Sequence, residues 1–286
     1  MYLFKQPAWI SSHQYNFAKY EEIPQSVFDE INGRLQKIVH PEPLVSVIIA
    51  AWNEEINILN CISSLSQIST DIPFEIIVVN NNSTDNTQRT IDSLNVRSLY
   101  EPVPGCGPAR QLGQENARGK YILLADADCI YPTCWIDEMM QKLSLKGVVC
   151  VYGRYSFIEE VGYPRWKLFM LEKLKDVIAE IRHYKRPYLN AYGISMGYVR
   201  EHGLRVKYVK YKIWGDDGRL CFDLMQFGSV KQVKSNSARA WTNPRTLQRD
   251  GSFANALWSR IKIEMSRLFS FFTVHPPHNT KVSRND

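Results

Sequence analysis

Three short apolar runs constrain the fold of this chain more than any other feature. They are residues 45–51 (Val-Ser-Val-Ile-Ile-Ala-Ala), 74–79 (Phe-Glu-Ile-Ile-Val-Val) and 121–125 (Tyr-Ile-Leu-Leu-Ala), and each stops abruptly at a polar cluster. Runs of this length, rich in β-branched residues and without strict alternation, are what strands buried on both faces of a parallel sheet look like. Between them lie helical patterns. Asn53-Glu54-Glu55 opens one with Ile56, Leu59, Ile62 and Leu65 on one side, and Ser83 or Thr84 can cap a second. A shorter strand around residues 96–100 leads to Pro104-Gly105-Cys106-Gly107-Pro108, where Pro108 suits the first position of a helix running to Ala117. Strand and helix thus alternate four times in about eighty residues, which predicts a doubly wound α/β layer with a ligand site beyond the carboxyl ends of the strands.

On such a layer the polar clusters converge. Asn53 and Glu54 leave the first strand, residues 80–85 the second, and Asp126 and Asp128 the last. In an extended strand, residues i and i+2 project the same way, so Asp126 and Asp128 are expected side by side, as oxygen ligands for a hard cation such as Mg2+ or Mn2+. Such a cation usually neutralises phosphate, which points toward a nucleotide-type substrate. A solvated strand-end turn is the alternative for the pair alone, as helix capping is for Ser83, Thr84 and Asp85. There is no Gly-x-Gly-x-x-Gly after the first strand and no Gly-x-x-x-x-Gly-Lys-Ser/Thr anywhere, which removes the main support for dinucleotide and P-loop readings.

Composition narrows the classes further. The chain has 286 residues, 44% hydrophobic and 22% charged, enough for one large domain with appendages and unlike a disordered or fibrous protein. Its formal net charge of +6 is spread along the chain, which suits an anionic substrate or a membrane surface and does not require nucleic acid. The six cysteines show no Cys-x-x-Cys pair and are expected as reduced, buried thiols. Neither a signal peptide nor a membrane-spanning run is legible, so the expected location is the cytoplasm, with a peripheral position at the inner face of the membrane as the variant of that reading.

The order of the motifs carries a resemblance. Val-Ser-Val-Ile-Ile-Ala-Ala-Trp-Asn-Glu-Glu, Glu-Ile-Ile-Val-Val-Asn-Asn-Asn-Ser-Thr-Asp-Asn-Thr, Gly-Pro-Ala-Arg-Gln-Leu-Gly and Leu-Leu-Ala-Asp-Ala-Asp, in that order, resemble the family-two glycosyltransferases with the GT-A fold. The resemblance covers roughly residues 44 to 245. It implies a mostly parallel central sheet flanked by helices; outside it, the Pro41-Glu42-Pro43 break, an amphipathic pattern and a polar end mark an N-terminal arm (residues 1–43), a helical extension (246–274) and a flexible tail (275–286). By it, Ala51, Asn53, Glu54, Asn81 and Ser83 stand on the donor side, Arg110 lies near the donor, and Asp126 with Asp128 hold Mn2+ or Mg2+ on the diphosphate. Where the family commonly has Asp, this chain has Asn80 or Asn81, and an amide both donates and accepts where a carboxylate only accepts.

Further along, residues 190–200 resemble the family's acceptor-side segment, and Trp214-Gly215-Asp216-Asp217 resembles its Glu/Asp-Asp element. The resemblance makes Asp217 the candidate general base, with Asp216 beside it on acceptor or sugar hydroxyls. Repulsion between adjacent carboxylates is expected to raise one pKa toward the range useful for deprotonating an alcohol. Ala240-Trp241-Thr242-Asn243-Pro244-Arg245 resembles a Thr-Ser-x-Arg stretch, making Arg245 a candidate diphosphate clamp. The implied activity is inverting transfer from a nucleoside-diphosphate sugar (UDP-sugar first, then GDP or dTDP) to a saccharide or lipid-linked acceptor. A sugar nucleotidyltransferase would usually carry a Gly-rich first-strand loop, which Ala50-Ala51-Trp52-Asn53 lacks; a non-catalytic sugar-nucleotide binder would need Asp128 but not Asp217. Residues 165–183 and 254–272 are both amphipathic with basic residues, and packing on the domain is the first expectation, a membrane surface the second.

Overall fold

The computed structural model describes residues 4–209 and 215–248. Among these residues ten strands and ten α-helices follow in chain order: α1 (Ala8–Ser11), α2 (Gln25–Ile38), β1 (Val45–Ala51), α3 (Asn57–Leu65), β2 (Phe74–Asn80), α4 (Thr87–Asp92), β3 (Arg97–Tyr100), α5 (Cys106–Asn116), β4 (Tyr121–Asp126), β5 (Cys129–Ile130), α6 (Trp135–Leu143), β6 (Val148–Tyr152), β7 (Tyr155–Phe157), α7 (Arg165–Lys185), β8 (Met196–Val199), α8 (Arg200–Val206), α9 (Asp216–Leu224), β9 (Ser229–Gln232), β10 (Ala240–Thr242) and α10 (Arg245–Gln248).

Seven strands form the central sheet in the order β3-β2-β1-β4-β8-β6-β9. All neighbours pair in parallel except β8, which runs against both β4 and β6. The apolar runs of β1, β2 and β4 are buried on both faces, as their lack of alternation predicts. Val45, Val47 and Ile49 face one layer, with Phe28, Ile31 and Leu35 of α2 and residues of α3 and α6. Ile48 faces the other, with Ala109 of α5 and Leu220, Cys221 and Leu224 of α9. Each such side chain, fully removed from water, contributes about 1.5–3 kcal/mol.

Register brings the polar clusters level. Ala51 pairs with Asn80 and Ala50 with Asp126, so the carboxyl ends of the three central strands stop side by side. A second, three-stranded sheet, β5-β10-β7, sits at that edge and joins Thr242 of β10 to Cys129 of β5. The segment before β1 also reaches it: Ile10 is fully buried against Ile130, Ile158 and Trp241. Among the described residues no helix is long and apolar enough to cross a membrane. The six cysteines are free thiols, four of them buried, with Cys106 exposed and Cys134 partly so. The extension and tail expected over residues 246–286 lie, past Gln248, outside the described residues.

Candidate active site

The first two strand ends are tied together by backbone donors and short polar side chains. Asn53 and Asn82 both have positive φ, 54° and 56°, a conformation Asn tolerates better than other non-glycine residues. The Asn53 N–H donates to Ser83 Oγ (3.0 Å), and Thr84 N–H donates back to Asn53 Oδ1 (2.8 Å). Neither Ser83 nor Thr84 caps α4. The helix begins at Thr87, and Asp85 Oδ1 accepts the Thr87 N–H (3.0 Å), because the loop is two residues longer than the capping pattern suggests. Asn81 is buried: its amide donates to Val103 O (2.7 Å) and Glu101 O (3.2 Å), and its Oδ1 accepts from Gly105 N–H (2.7 Å). Ala51 ends β1, and its carbonyl accepts the Asn81 N–H at 2.8 Å. Asn81 therefore braces the loop that leads into α5, whose first residue is Cys106 rather than Pro108.

Arg110, on the second turn of α5, is the centre of the site. It is buried, with its side chain 6% exposed, and its guanidinium meets Asp126 Oδ1 (3.0 Å), Asp217 Oδ1 (2.6 Å) and Asp216 Oδ2 (3.5 Å). Asp216 and Asp217 are the first two residues of α9, entered through Gly215 at φ 83°, where the helix N-terminus favours negative charge. Asp217 Oδ2 accepts the Gly193 N–H at 2.7 Å, so both its oxygens are held. Gly193 has to be glycine here, since a Cβ would stand 1.9 Å from Arg110 Nη2.

Burial is the main force on this cluster. It pushes the Asp217 carboxyl up to about 7; Arg110 opposes the rise, and Asp216 and then Asp126 add to it. Mutual repulsion of the adjacent pair adds to the rise, as the sequence suggested, and stands behind desolvation in size. Asp126 is raised to about 6, again first by desolvation, with Arg110 opposing and Asp128 adding.

Asp126 closes β4, and Ala127 and Asp128 turn away from the strand. The two carboxylates meet through this turn, not through strand alternation. Asp128 accordingly faces a different set of partners: its Oδ2 receives Arg245 Nη2 (2.6 Å), which also reaches Glu54 Oε1 (2.9 Å). Burial raises the Glu54 carboxyl, Arg245 lowers it, and Asp128 raises it again. Ligand atoms of Asp126, Asp128 and Cys129 lie within 4.8 Å of one another. Burial pushes the Cys129 thiol well up, and it donates to Asp128 Oδ1 at 3.3 Å, so it stays protonated and leaves an oxygen donor set that suits a hard cation.

The sheet order and the level strand ends agree with comparison to known proteins. The model of glycosyl transferase family 2 matches residues 46–210. The chain belongs to this family. Among its relatives, glycosyltransferase AglE of Haloferax volcanii is 31% identical over 149 residues, 48% of this chain and 49% of AglE. Chondroitin synthase of Pasteurella multocida is 26% identical over 216 residues, 69% of this chain and 22% of the synthase. The aligned stretch therefore spans half or less of these relatives. Two solved structures share the fold: mannosyltransferase PcManGT from Pyrobaculum calidifontis, in complex with GDP-Man and Mn2+ (TM-score 0.54, 17% identity, 82% of this chain and 70% of that one), and glucosyl-3-phosphoglycerate synthase from Mycobacterium tuberculosis, in complex with Mn2+, UDP-glucose and glycerol 3-phosphate (TM-score 0.52, 22% identity, 82% and 83%). The architecture is the GT-A type expected from the motifs.

Within this family-two frame, the described residues bring the candidates into two joined groups. Arg110, Asp126, Asp216 and Asp217 form one, and Glu54, Asp128 and Arg245 the other. Trp214, next to the second acidic pair in sequence, lies outside the described residues. Sequence reading missed Tyr131, which is fully buried and whose hydroxyl accepts the Asp126 N–H (2.8 Å) and donates to Ile194 O (2.9 Å), linking β4 to the segment carrying Gly193. No spacing rule singles out a tyrosine five residues past a strand end.

Proposed function

We propose that this chain is an inverting glycosyltransferase that moves a sugar from a nucleoside-diphosphate sugar to a hydroxyl of a saccharide or lipid-linked acceptor. The observation that carries the reading is the single guanidinium of Arg110 joining the strand-end carboxylate Asp126 to Asp217, whose pKa of about 7 matches the task of a general base. The acceptor hydroxyl would lose its proton to Asp217 as its oxygen bonds to the anomeric carbon, while the bond from that carbon to the diphosphate oxygen breaks on the opposite face. Configuration inverts, through an oxocarbenium-like transition state. Arg110 and the Gly193 N–H hold the Asp217 oxygens against rotation, so the base is oriented before the acceptor arrives.

Asp126 and Asp128 are the residues that would hold Mn2+ or Mg2+, a cation that would neutralise the diphosphate and the charge growing on the leaving group. Arg245, now on Glu54 and Asp128, is within reach of the same region as a bidentate phosphate partner. The nucleoside would lie over the ends of β1 and β2, where Ala51, Asn53, Ser83 and the neighbourhood of Asn81 form the floor. The family membership and the GDP-Man and UDP-glucose complexes of its structural neighbours support a nucleotide-sugar donor, whose base they leave open between uridine and guanosine.

The test is thermal unfolding of the protein with UDP-, GDP- and dTDP-sugars, with and without Mn2+, followed by NMR of the anomeric proton of the product. A metal-dependent rise in melting temperature with one nucleotide class, and a product of inverted configuration, are expected. A product of retained configuration, or no donor raising the melting temperature, would overturn the reading.

A further inference from the structure

The long helix α7 buries Leu168 and Leu171 against Phe157 and Leu247 and carries a second apolar stripe on its outward side. Its exposed residues are Trp166, Met170, Leu174, Val177, Ile181 and Tyr184, joined only by Lys185. Met170 is 62% exposed, Val177 58%, Ile181 55% and Tyr184 83%, so the stripe is open along its whole length. At 1.5 Å per residue it runs for about 27 Å.

The carboxylates of the helix face the protein instead. Glu172 pairs with Arg165 (2.6 Å), Asp176 with Arg239, and Glu180 with Arg154 and Lys234 (both 2.5 Å). The margin of the stripe is left to lysines. Lys167 Nζ stands 5.6 Å over the Trp166 ring, and Lys173 Nζ 5.3 Å over Phe169 and 3.9 Å from Asp176 Oδ2, which Arg239 holds from the protein side. An apolar stripe with an aromatic residue at each end, edged by ammonium groups and with its acids turned inward, has the character of a helix lying in an interface plane.

Charge selects among the possible occupants. A second copy docking stripe to stripe would set lysines against lysines. Residues 254–272, outside the described residues, carry Arg260, Lys262 and Arg267 against the single Glu264, and their cations too would meet those of the stripe. An anionic surface meets both requirements of this face.

We propose that the outward face of α7 is a docking surface for an anionic lipid bilayer. The lipid headgroups take the lysine margin while the stripe enters the boundary between headgroups and acyl chains. The surface involves none of the residues placed in the transfer site, so it stands or falls separately from the transferase reading.

Co-sedimentation of the full chain with phosphatidylcholine vesicles and with equimolar phosphatidylcholine–phosphatidylglycerol vesicles tests it. Binding is expected only to the anionic vesicles, weakening as salt rises. The double variant Met170→Glu, Ile181→Glu, at two exposed positions and with an unchanged melting temperature, should bind them roughly tenfold or more weakly. Equal binding to neutral vesicles, or undiminished binding by the double variant, overturns the proposal. Hydroxyl-radical footprinting of wild-type Trp166, Met170 and Tyr184 supplies a second measurement. Protection that appears only with anionic vesicles supports the proposal. Protection already present in their absence overturns it, in favour of a second copy if it fades on dilution and of another segment of the chain if it does not.

Discussion

Replacing Asp217 by asparagine separates binding from chemistry more cleanly than any other change in this site. The carboxylate accepts two hydrogen bonds, from Arg110 Nη1 at 2.6 Å and from the Gly193 N–H at 2.7 Å. An asparagine offers one acceptor and one donor, so one of these bonds is lost, at roughly 1–3 kcal/mol. Against that, one guanidinium now faces two carboxylates rather than three, and repulsion with Asp216 and Asp126 is relieved. The two effects oppose, and the melting temperature is expected to stay within a few degrees of wild type. Metal-dependent donor binding should persist, because Asp126 and Asp128 are untouched. Transfer should not: a positioned general base contributes about 10²–10⁴ in rate, or roughly 3–5 kcal/mol of barrier. In the wild type, single-turnover transfer should rise with pH through about 7 as Asp217 gives up its proton, and be roughly a hundredfold slower at pH 5. Stability runs the other way. Because the folded pKa of Asp217 is raised above its ordinary value of 3.8, its stabilising contribution is complete below that value and is lost as pH rises through 7. Asp217→Asn should remove that slope, leaving a smaller one near pH 6 from Asp126. Single-turnover transfer from a labelled donor, with urea midpoints across pH, measures both. Full transfer by the variant, or a wild-type rate indifferent to pH between 5 and 8, would refute the base assignment.

Three other changes probe the remaining parts. Asp128→Ala should abolish the Mn2+-dependent rise in melting temperature with donor while leaving Arg245 on Glu54, as thermal unfolding with and without metal would show. Arg110→Met leaves Asp126, Asp216 and Asp217 without their shared counter-charge and should cost about 3–5 kcal/mol at pH 7.5, read from urea midpoints, with the deficit shrinking at pH 5 as Asp126 and Asp217 protonate. Gly193→Ala puts a Cβ 1.9 Å from an Arg110 nitrogen that ion pairs hold in place, and should lose about 1–3 kcal/mol of stability together with most transfer activity; Gly33→Ala in α2, with nothing within 4 Å of the new carbon, serves as the unstrained control in the same assays.

What could be read from the sequence, and what could not, divides along the range of the interactions. The buried strands β1, β2 and β4 were legible because a strand covered on both faces needs apolar residues at every position, a local requirement. The convergence of Glu54, Asp126 and Asp128 was legible because parallel strands deliver their carboxyl ends to one edge. The reversed strand β8 and the hub at Arg110 were not, since both depend on segments brought together from afar: Gly193, Asp216 and Asp217 reach Arg110 across more than eighty residues, and no periodicity reports that meeting. Helix α7 shows the limit most clearly. Its 3.6-residue pattern correctly marks two faces, and packing on the domain is the natural expectation for the apolar one. The apolar residues divide instead: Leu168 and Leu171 pack on Phe157 and Leu247 as expected, while Glu172, Asp176 and Glu180 take ion pairs with Arg165 of the same helix and with Arg154, Lys234 and Arg239 from loops, which leaves the other apolar residues outside. Amphipathicity fixes that a helix has two environments, whereas the partners of its charged side decide which of them is the protein. For α7 those partners are ion pairs, which leaves about 27 Å of apolar surface facing outward, a surface that gains free energy when an apolar partner covers it, while the lysine margin favours a partner that is also anionic.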